Sequence, residues 1–294
     1  MKGTAQEGVV RNAMSAYPYV ICDVFTDRPL AGNPLAVFPD AREIPDARLQ
    51  PLAREINFSE TVFAYPPAAG GHARIRIFTP RRELPFAGHP VLGSAFVLGA
   101  PLQSDEIRLE TGRGVVPIQL QREGRRITFG RMSQPIPSVA GFGDEAPLLR
   151  ALGVERSALP VEVYDNGVHH VFVTLETEEA VARLAPDLAA LARLLPDQGG
   201  NCFAGRGRRW KTRVFSPGVG IAEDPATGSA AGPLAVHLVR HGWIAFGDEI
   251  EIAQGAEIGR PSTLYARVDG QAGRVEHVMV GGAAVIVGQG EFSL

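Results

Sequence analysis

Arg76-Ile77-Phe78-Thr79-Pro80, followed by Pro90-Val91-Leu92-Gly93-Ser94-Ala95, returns later in the chain as Arg213-Val214-Phe215-Ser216-Pro217 followed by Pro225-Ala226-Thr227-Gly228-Ser229-Ala230. Spacing within each piece is identical, and the gap between the pieces differs by two residues. A repeat of so long a period points to duplicated halves rather than a solenoid. Each half reads as a strand, a short loop, and then a helix start carrying Gly-Ser-Ala. Gly88 to Leu98 has no charged residue but His89, and Gly228 to Arg240 is largely uncharged. A helix that is apolar all round is a buried helix. The repeat therefore predicts an α+β fold of two pseudo-symmetric lobes, each a curved sheet or barrel wrapped around a central buried helix.

Outward from the repeat, Tyr19 to Phe25 is rich in β-branched and aromatic residues and reads as the first strand. Pro45 opens a helix with Leu49, Leu52, Ala53 and Ile56 at helical spacing, ending at Asn57. Thr61 to Tyr65 returns as a strand, which puts Glu60 at a helix–strand junction, a place where functional groups are commonly displayed. Pro135, Pro137, Gly141 and Gly143 mark a crossing segment and a hinge between halves. The expected division is a flexible extension over residues 1–16, a first lobe over 17–132 completed by a strand in 281–294, and a second lobe over 133–280.

Composition limits what such a chain does. Of 294 residues, 45% are hydrophobic and 21% charged, and the formal net charge is -3. That balance suits a soluble globular protein and offers no broad basic face for nucleic acid. The run Arg206-Gly207-Arg208-Arg209-Trp210-Lys211 reads as a solvated hairpin entering a strand. Nothing approaches the ~20 apolar residues of a membrane span, and the start of the chain lacks the apolar core of a secretion signal. Two cysteines, Cys22 and Cys202, read as buried free thiols, so a cytoplasmic setting is expected. His169 and His170 are adjacent on a strand and point to opposite faces, no Cys-x-x-Cys occurs, and no metal site is expected.

The repeat also gathers chemistry. Helix N-termini carry unpaired N–H groups and partial positive charge. Two of them facing one cleft would hold a small carboxylate. The loops before them hold Gly88 and His89 in one half and Glu223 and Asp224 in the other, while Glu60 comes from a third segment. Two carboxylates and an imidazole around anion-binding helix ends can move protons on a small acid. Each also has a plainer reading: Asp224 as a turn or cap residue, His89 as a loop histidine, Glu60 as an end-of-helix charge.

At Asp23-Val24-Phe25-Thr26, Gly32-Asn33-Pro34, Asn57-Phe58-Ser59-Glu60-Thr61, Phe86-Ala87-Gly88-His89-Pro90 and Glu223-Asp224-Pro225-Ala226-Thr227-Gly228-Ser229-Ala230 the sequence resembles the PhzF-like family, which shares the diaminopimelate-epimerase fold. The likeness runs from about Tyr19 to the end of the chain. It implies a homodimeric, cofactor-free isomerase of phenazine biosynthesis, acting on a cyclohexadiene that bears a carboxylate, an amine and a hydroxyl. Glu60 would carry a proton from C3 to C1 to give the ketone tautomer. His89 and Asp224 would act with it, and Ser59, Gly88, Gly228 and Ser229 would bind substrate. Phe58 stands where a leucine is common in the family, and the extension before Tyr17 is unusual for it. Two other classes stay open. One is an amino-acid racemase, which would want a cysteine at each helix start. The other is a non-catalytic small-acid-binding scaffold.

Overall fold

The computed structural model describes residues 15–294. In the first half the strands are β1 (Ala16–Val24), β2 (Asn33–Phe38), β3 (Glu60–Tyr65), β4 (Ala73–Phe78), β5 (Glu83–Leu84), β6 (Glu106–Thr111), β7 (Gly114–Glu123) and β8 (Arg126–Gln134), with helices α1 (Asp46–Ile56) and α2 (Gly88–Gly99). The second half has β9 (Ser138–Gly141), β10 (Glu162–Asp165), β11 (His169–Thr174), β12 (Gln198–Arg206), β13 (Arg209–Ser216), β14 (Ile221–Asp224), β15 (Glu249–Gln254), β16 (Ser262–Gln271) and β17 (Arg274–Gly282). Its helices are α3 (Glu145–Leu152), α4 (Glu178–Ala182), α5 (Leu188–Leu194) and α6 (Gly228–Arg240), and β18 (Ala284–Ser293) follows. The fold is α+β and mostly sheet. No helix among the described residues is long and apolar enough to cross a membrane.

Strand pairing repeats between the halves. In the first, β1, β2, β3, β4, β6, β7 and β8 pair in that order, parallel at β2–β3 and β4–β6 and antiparallel elsewhere. In the second, β10, β11, β12, β13, β15, β16 and β17 follow the same order, parallel at β11–β12 and β13–β15. β5 and β14 are short hairpin partners of β4 and β13. β9 lies against β10 as β18 lies against β1, and β8 pairs with β17 to join the halves. α2 packs against β1, β2 and β8, while α6 packs against β16, β17 and β11. One apolar cluster holds residues of both helices, including Val91, Leu92, Leu234 and Leu238.

Several boundaries differ from the sequence reading. The first strand starts at Ala16, and Ser15 exchanges two backbone hydrogen bonds with Leu294. The rest of the expected extension, residues 1–14, lies outside the described residues. Within the proline-marked crossing, Ser138–Gly141 is a paired strand rather than a free hinge. α3, β12 and β17 had no counterpart in the reading. β12 opens Gln198-Gly199-Gly200-Asn201 and carries no strong strand composition, whereas Val275, Val278 and Val280 of β17 are a strand signal that the reading passed over.

The helix starts correct the repeat's register. α6 begins at Gly228, but α2 begins at Gly88, which leaves Gly93-Ser94-Ala95 well inside that helix. Gly88 and Gly228 are the residues that meet. A Cβ on Gly88 would lie 2.7 Å from the Gly228 carbonyl carbon and from the Ser229 nitrogen. Pro90 and Pro225 are therefore not equivalent. Pro90 sits in the first turn of α2, where its missing N–H has no helical partner to lose, and Pro225 precedes α6.

Candidate active site

Asn57 takes the left-handed conformation, φ 55°, and ends α1 with its N–H on the Ala53 carbonyl. The chain turns there and enters β3 at Glu60, which stands opposite Leu35 of β2. Ser59 lies in the bend just before β3, with its hydroxyl close to the Glu60 carboxyl as well as to Asn33. Glu60 lines the cavity at the meeting of the two helix starts, a space of about 560 Å³. Ser59 is not among the lining residues; its hydroxyl donates to Asn33 Oδ1 at 3.1 Å. The family likeness assigned Ser59 to the substrate; in this structure its hydroxyl is engaged with Asn33.

Glu60, Gly88, His89, Asp224, Gly228 and Ser229 all border this one cavity. Glu60 is 8% exposed, and its Oε2 lies 3.5 Å from His89 Nε2. Neither atom has a hydrogen-bond partner among the described residues. Burial, and then the negative charge of Asp224, push the Glu60 carboxyl up to about 8. Burial holds His89 down to about 3, so its imidazole is neutral at physiological pH. Asp224 is raised to about 6 by burial, against hydrogen bonds from Thr227 and Asn33 that favour its ionised form.

Asp224 is held from three sides. Asn33 Nδ2 donates to its Oδ1 at 2.8 Å, Thr227 Oγ1 donates to its Oδ2 at 2.6 Å, and Gln254 Nε2 donates to its backbone carbonyl at 2.8 Å. Asn33 thus ties β2 to the loop before α6 and sits 3.4 Å from His89 Nδ1. The sequence reading quoted Asn33 within the Gly32-Asn33-Pro34 motif but gave it no role at the site. It also considered His170 only as a metal ligand, whereas His170 Nε2 lies 3.0 Å from Ser229 Oγ. His169, its neighbour, is half-exposed on the other face.

The start of α6 has its own supports. Pro233 has no N–H for the Ser229 carbonyl four residues earlier. Asn166 Nδ2 donates to that carbonyl at 2.9 Å, and Gln134 Nε2 donates to the Gly228 carbonyl at 2.8 Å. At the start of α6 the Thr227 N–H is taken by Gln254 Oε1 and the Ala230 N–H by the Thr227 carbonyl, which leaves the Gly228 and Ser229 N–H groups without a helical partner.

Cys22 and Cys202 are buried and free, and burial pushes both thiols up to about 12. Neither borders the cavity. Away from it, Glu162, His237 and His241 bring donor atoms within 4.8 Å of one another, a grouping that could hold a metal ion. His237 lies on α6 and His241 directly follows it, a His-x-x-x-His spacing that the sequence reading overlooked in expecting no metal site. The same atoms also bond one another: Tyr164 and both imidazoles reach Glu162 Oε2 at 2.8, 3.1 and 3.1 Å.

The PhzC-PhzF family, described as phenazine biosynthesis-like protein, matches residues 22–290. A trans-2,3-dihydro-3-hydroxyanthranilate isomerase of Pseudomonas aeruginosa is 52% identical over 272 residues, covering 92% of this chain and 98% of its own length. A crystal structure of a PhzF-family phenazine biosynthesis protein from Bacillus anthracis superposes with a TM-score of 0.84 at 24% identity, covering 96% of this chain and all of that one. A hydroxyproline epimerase from Agrobacterium vitis shares the fold more distantly, with a TM-score of 0.65 at 13% identity over 96% of this chain and 92% of its own.

Proposed function

Because the chain belongs to the PhzC-PhzF family of phenazine biosynthesis-like proteins, we propose that it is an isomerase of trans-2,3-dihydro-3-hydroxyanthranilate, the substrate named for its Pseudomonas relatives. The observation that carries the mechanism is Glu60: a buried carboxyl with an unpartnered oxygen, facing a neutral imidazole across 3.5 Å. The ionised Glu60 removes the proton at C3, and the C–H electron pair enters the diene. Glu60, now the acid, returns that proton to C1 on the same face, and the resulting enol relaxes to the ketone. One group accepts and returns one proton, so the step as written balances without an electron acceptor or a second base. An acid raised towards neutrality suits both halves of this exchange.

His89 and Asp224 hold the amine and hydroxyl of the ring, which fixes the C3–H bond against Glu60. Gly88, Gly228 and Ser229 receive the carboxylate at the helix N-termini. We read the chain as two lobes, residues 17–132 with 281–294 and residues 133–280, because the same strand order recurs in both. The protein is taken as a cytoplasmic homodimer, the compartment resting on its two buried free thiols. Sedimentation at twice the mass of the single chain would support the dimer, and a monomer at micromolar concentration would remove it.

Glu60→Gln keeps the shape and deletes the base. Turnover of trans-2,3-dihydro-3-hydroxyanthranilate should fall by about a thousandfold or more. Near-normal turnover would sink the assignment. Substrate deuterated at C3 gives a second reading: the deuterium should reappear at C1 above the level of solvent exchange. A racemase reading has less to stand on, since both thiols are buried, raised to about 12 and away from the cavity.

A further inference from the structure

His170 takes no part in the reaction as written, yet it borders the cavity beside Ser229, is 2% exposed, and is hydrogen-bonded to that serine. On the other side of its ring, Asn201 Nδ2 stands 3.4 Å from Nδ1. The direction of that amide is fixed. The same nitrogen donates to the Gly199 carbonyl at 3.1 Å, and an amide turned the other way would set oxygen against oxygen. The second N–H of Asn201 therefore faces His170 Nδ1, which makes Nδ1 the acceptor. In a neutral imidazole the proton then sits on Nε2. Burial keeps this ring neutral, holding it down to about 3. His170 Nε2–H donates to the Ser229 oxygen at 3.0 Å, and the Ser229 hydroxyl proton is left to turn into the cavity.

We propose that Asn201 and His170 form a positioning pair that fixes the Ser229 hydroxyl as a hydrogen-bond donor, selecting substrates that present a carboxylate oxygen at the start of α6. The opposite tautomer would reverse the outcome. With the proton on Nδ1, Nε2 would accept from Ser229, and the serine would turn a lone pair towards the incoming anion. His170 touches no reacting atom in this scheme and acts only through Ser229. The proposal rests on the reading of the cavity as a carboxylate site given above.

The tautomer is read directly by long-range 1H–15N spectra of the histidine side chains in the ligand-free protein, with the His170 signals assigned by their loss in His170→Gln. The expected pattern is an unprotonated Nδ1 and a protonated Nε2, unchanged between pH 6 and 8. A proton on Nδ1 overturns the proposal, and this arm needs no folded variant of Asn201. Asn201→Asp replaces the donor with an acceptor and should draw the proton to Nδ1. KM should rise by about tenfold or more with kcat changed less than about threefold, and the Kd of anthranilate, which bears the carboxylate and amine but cannot be isomerised, should rise in parallel. In a Ser229→Ala background Asn201→Asp should change neither value further. An equal rise with and without the hydroxyl overturns the pair. If the protein isomerises nothing, the proposed activity fails, while the spectra and anthranilate binding still decide this inference.

Discussion

Glu60 shows how burial sets both a rate and a stability. Its carboxyl is raised from an ordinary 4.5 to about 8, first by burial and then by Asp224. At pH 7 roughly a tenth of free protein carries the ionised base. We expect kcat/KM to rise with pH to a plateau with its midpoint near 8; a flat profile from pH 6 to 9 would exclude Glu60 as the base. The linkage runs the same way. Between about 4.5 and about 8 the unfolded chain has released this proton while the native state keeps it, so stability falls as pH rises through that window. Glu60→Gln removes the effect. It should be more stable than the parent at pH 8, by on the order of 3 kcal/mol, with the gain gone below pH 4.5. Thermal melts across that range check it. Glu60, His89 and Asp224 were legible because they stand in motifs. Asn33 stands in a motif too, but its task was not legible, because its contact with Asp224 forms only when folding brings β2 against the loop before α6.

At the scale of elements, the start of α6 is a site made by leaving helix bonds unmade. Pro233 withholds the N–H that would close on the Ser229 carbonyl, and Asn166 fills the gap from the β10–β11 turn. Asn166→Ala should cost about 1–3 kcal/mol of stability through an orphaned buried carbonyl. In a Pro233→Ala background the cost should shrink, because the alanine restores the missing donor. Equal costs in both backgrounds, measured by urea unfolding, would contradict this account. Gly88 is constrained by contact rather than by backbone angle. Alanine there would press its methyl on the Gly228–Ser229 peptide and part the two helix starts, so Gly88→Ala should lower kcat/KM by about tenfold or more. Gly141, which has open surroundings and no left-handed backbone, should tolerate alanine. The repeat made both buried helices legible from composition, but it set the first Gly-Ser-Ala at a helix start that lies five residues earlier. Small residues recur along a tightly packed helix for packing reasons, and the alignment followed them. β12, with two glycines and an asparagine near its start, carried no strand pattern at all.

For the molecule as a whole, two equal strand orders are joined through β8 and β17, and the first is edged by β18 against β1. The duplication was legible because two copies of one pattern reinforce each other. The edging strand was legible as well: Val285-Ile286-Val287 is a β-branched run, and a strand in 281–294 was expected to complete the first half, although its partners lie nearly the whole described chain away. A chain ending at Ala283 should leave β1 without that partner. We expect it to lose a single cooperative unfolding transition and to bind hydrophobic dye; a sharp two-state melt would contradict that. During translation, domains ordinarily finish in the order in which they leave the ribosome. Here the later-made half is paired through Gly282 while β1, in the half bearing Glu60, still waits for its edging strand β18. A growing chain therefore carries β1 with an open edge until β18 has been made. Turnover should appear only once β18 has been made, as a late step rather than a gradual one, and a stall shortly before β18 would yield a chain with all its proposed acid/base groups and no closed sheet to hold Glu60 against His89.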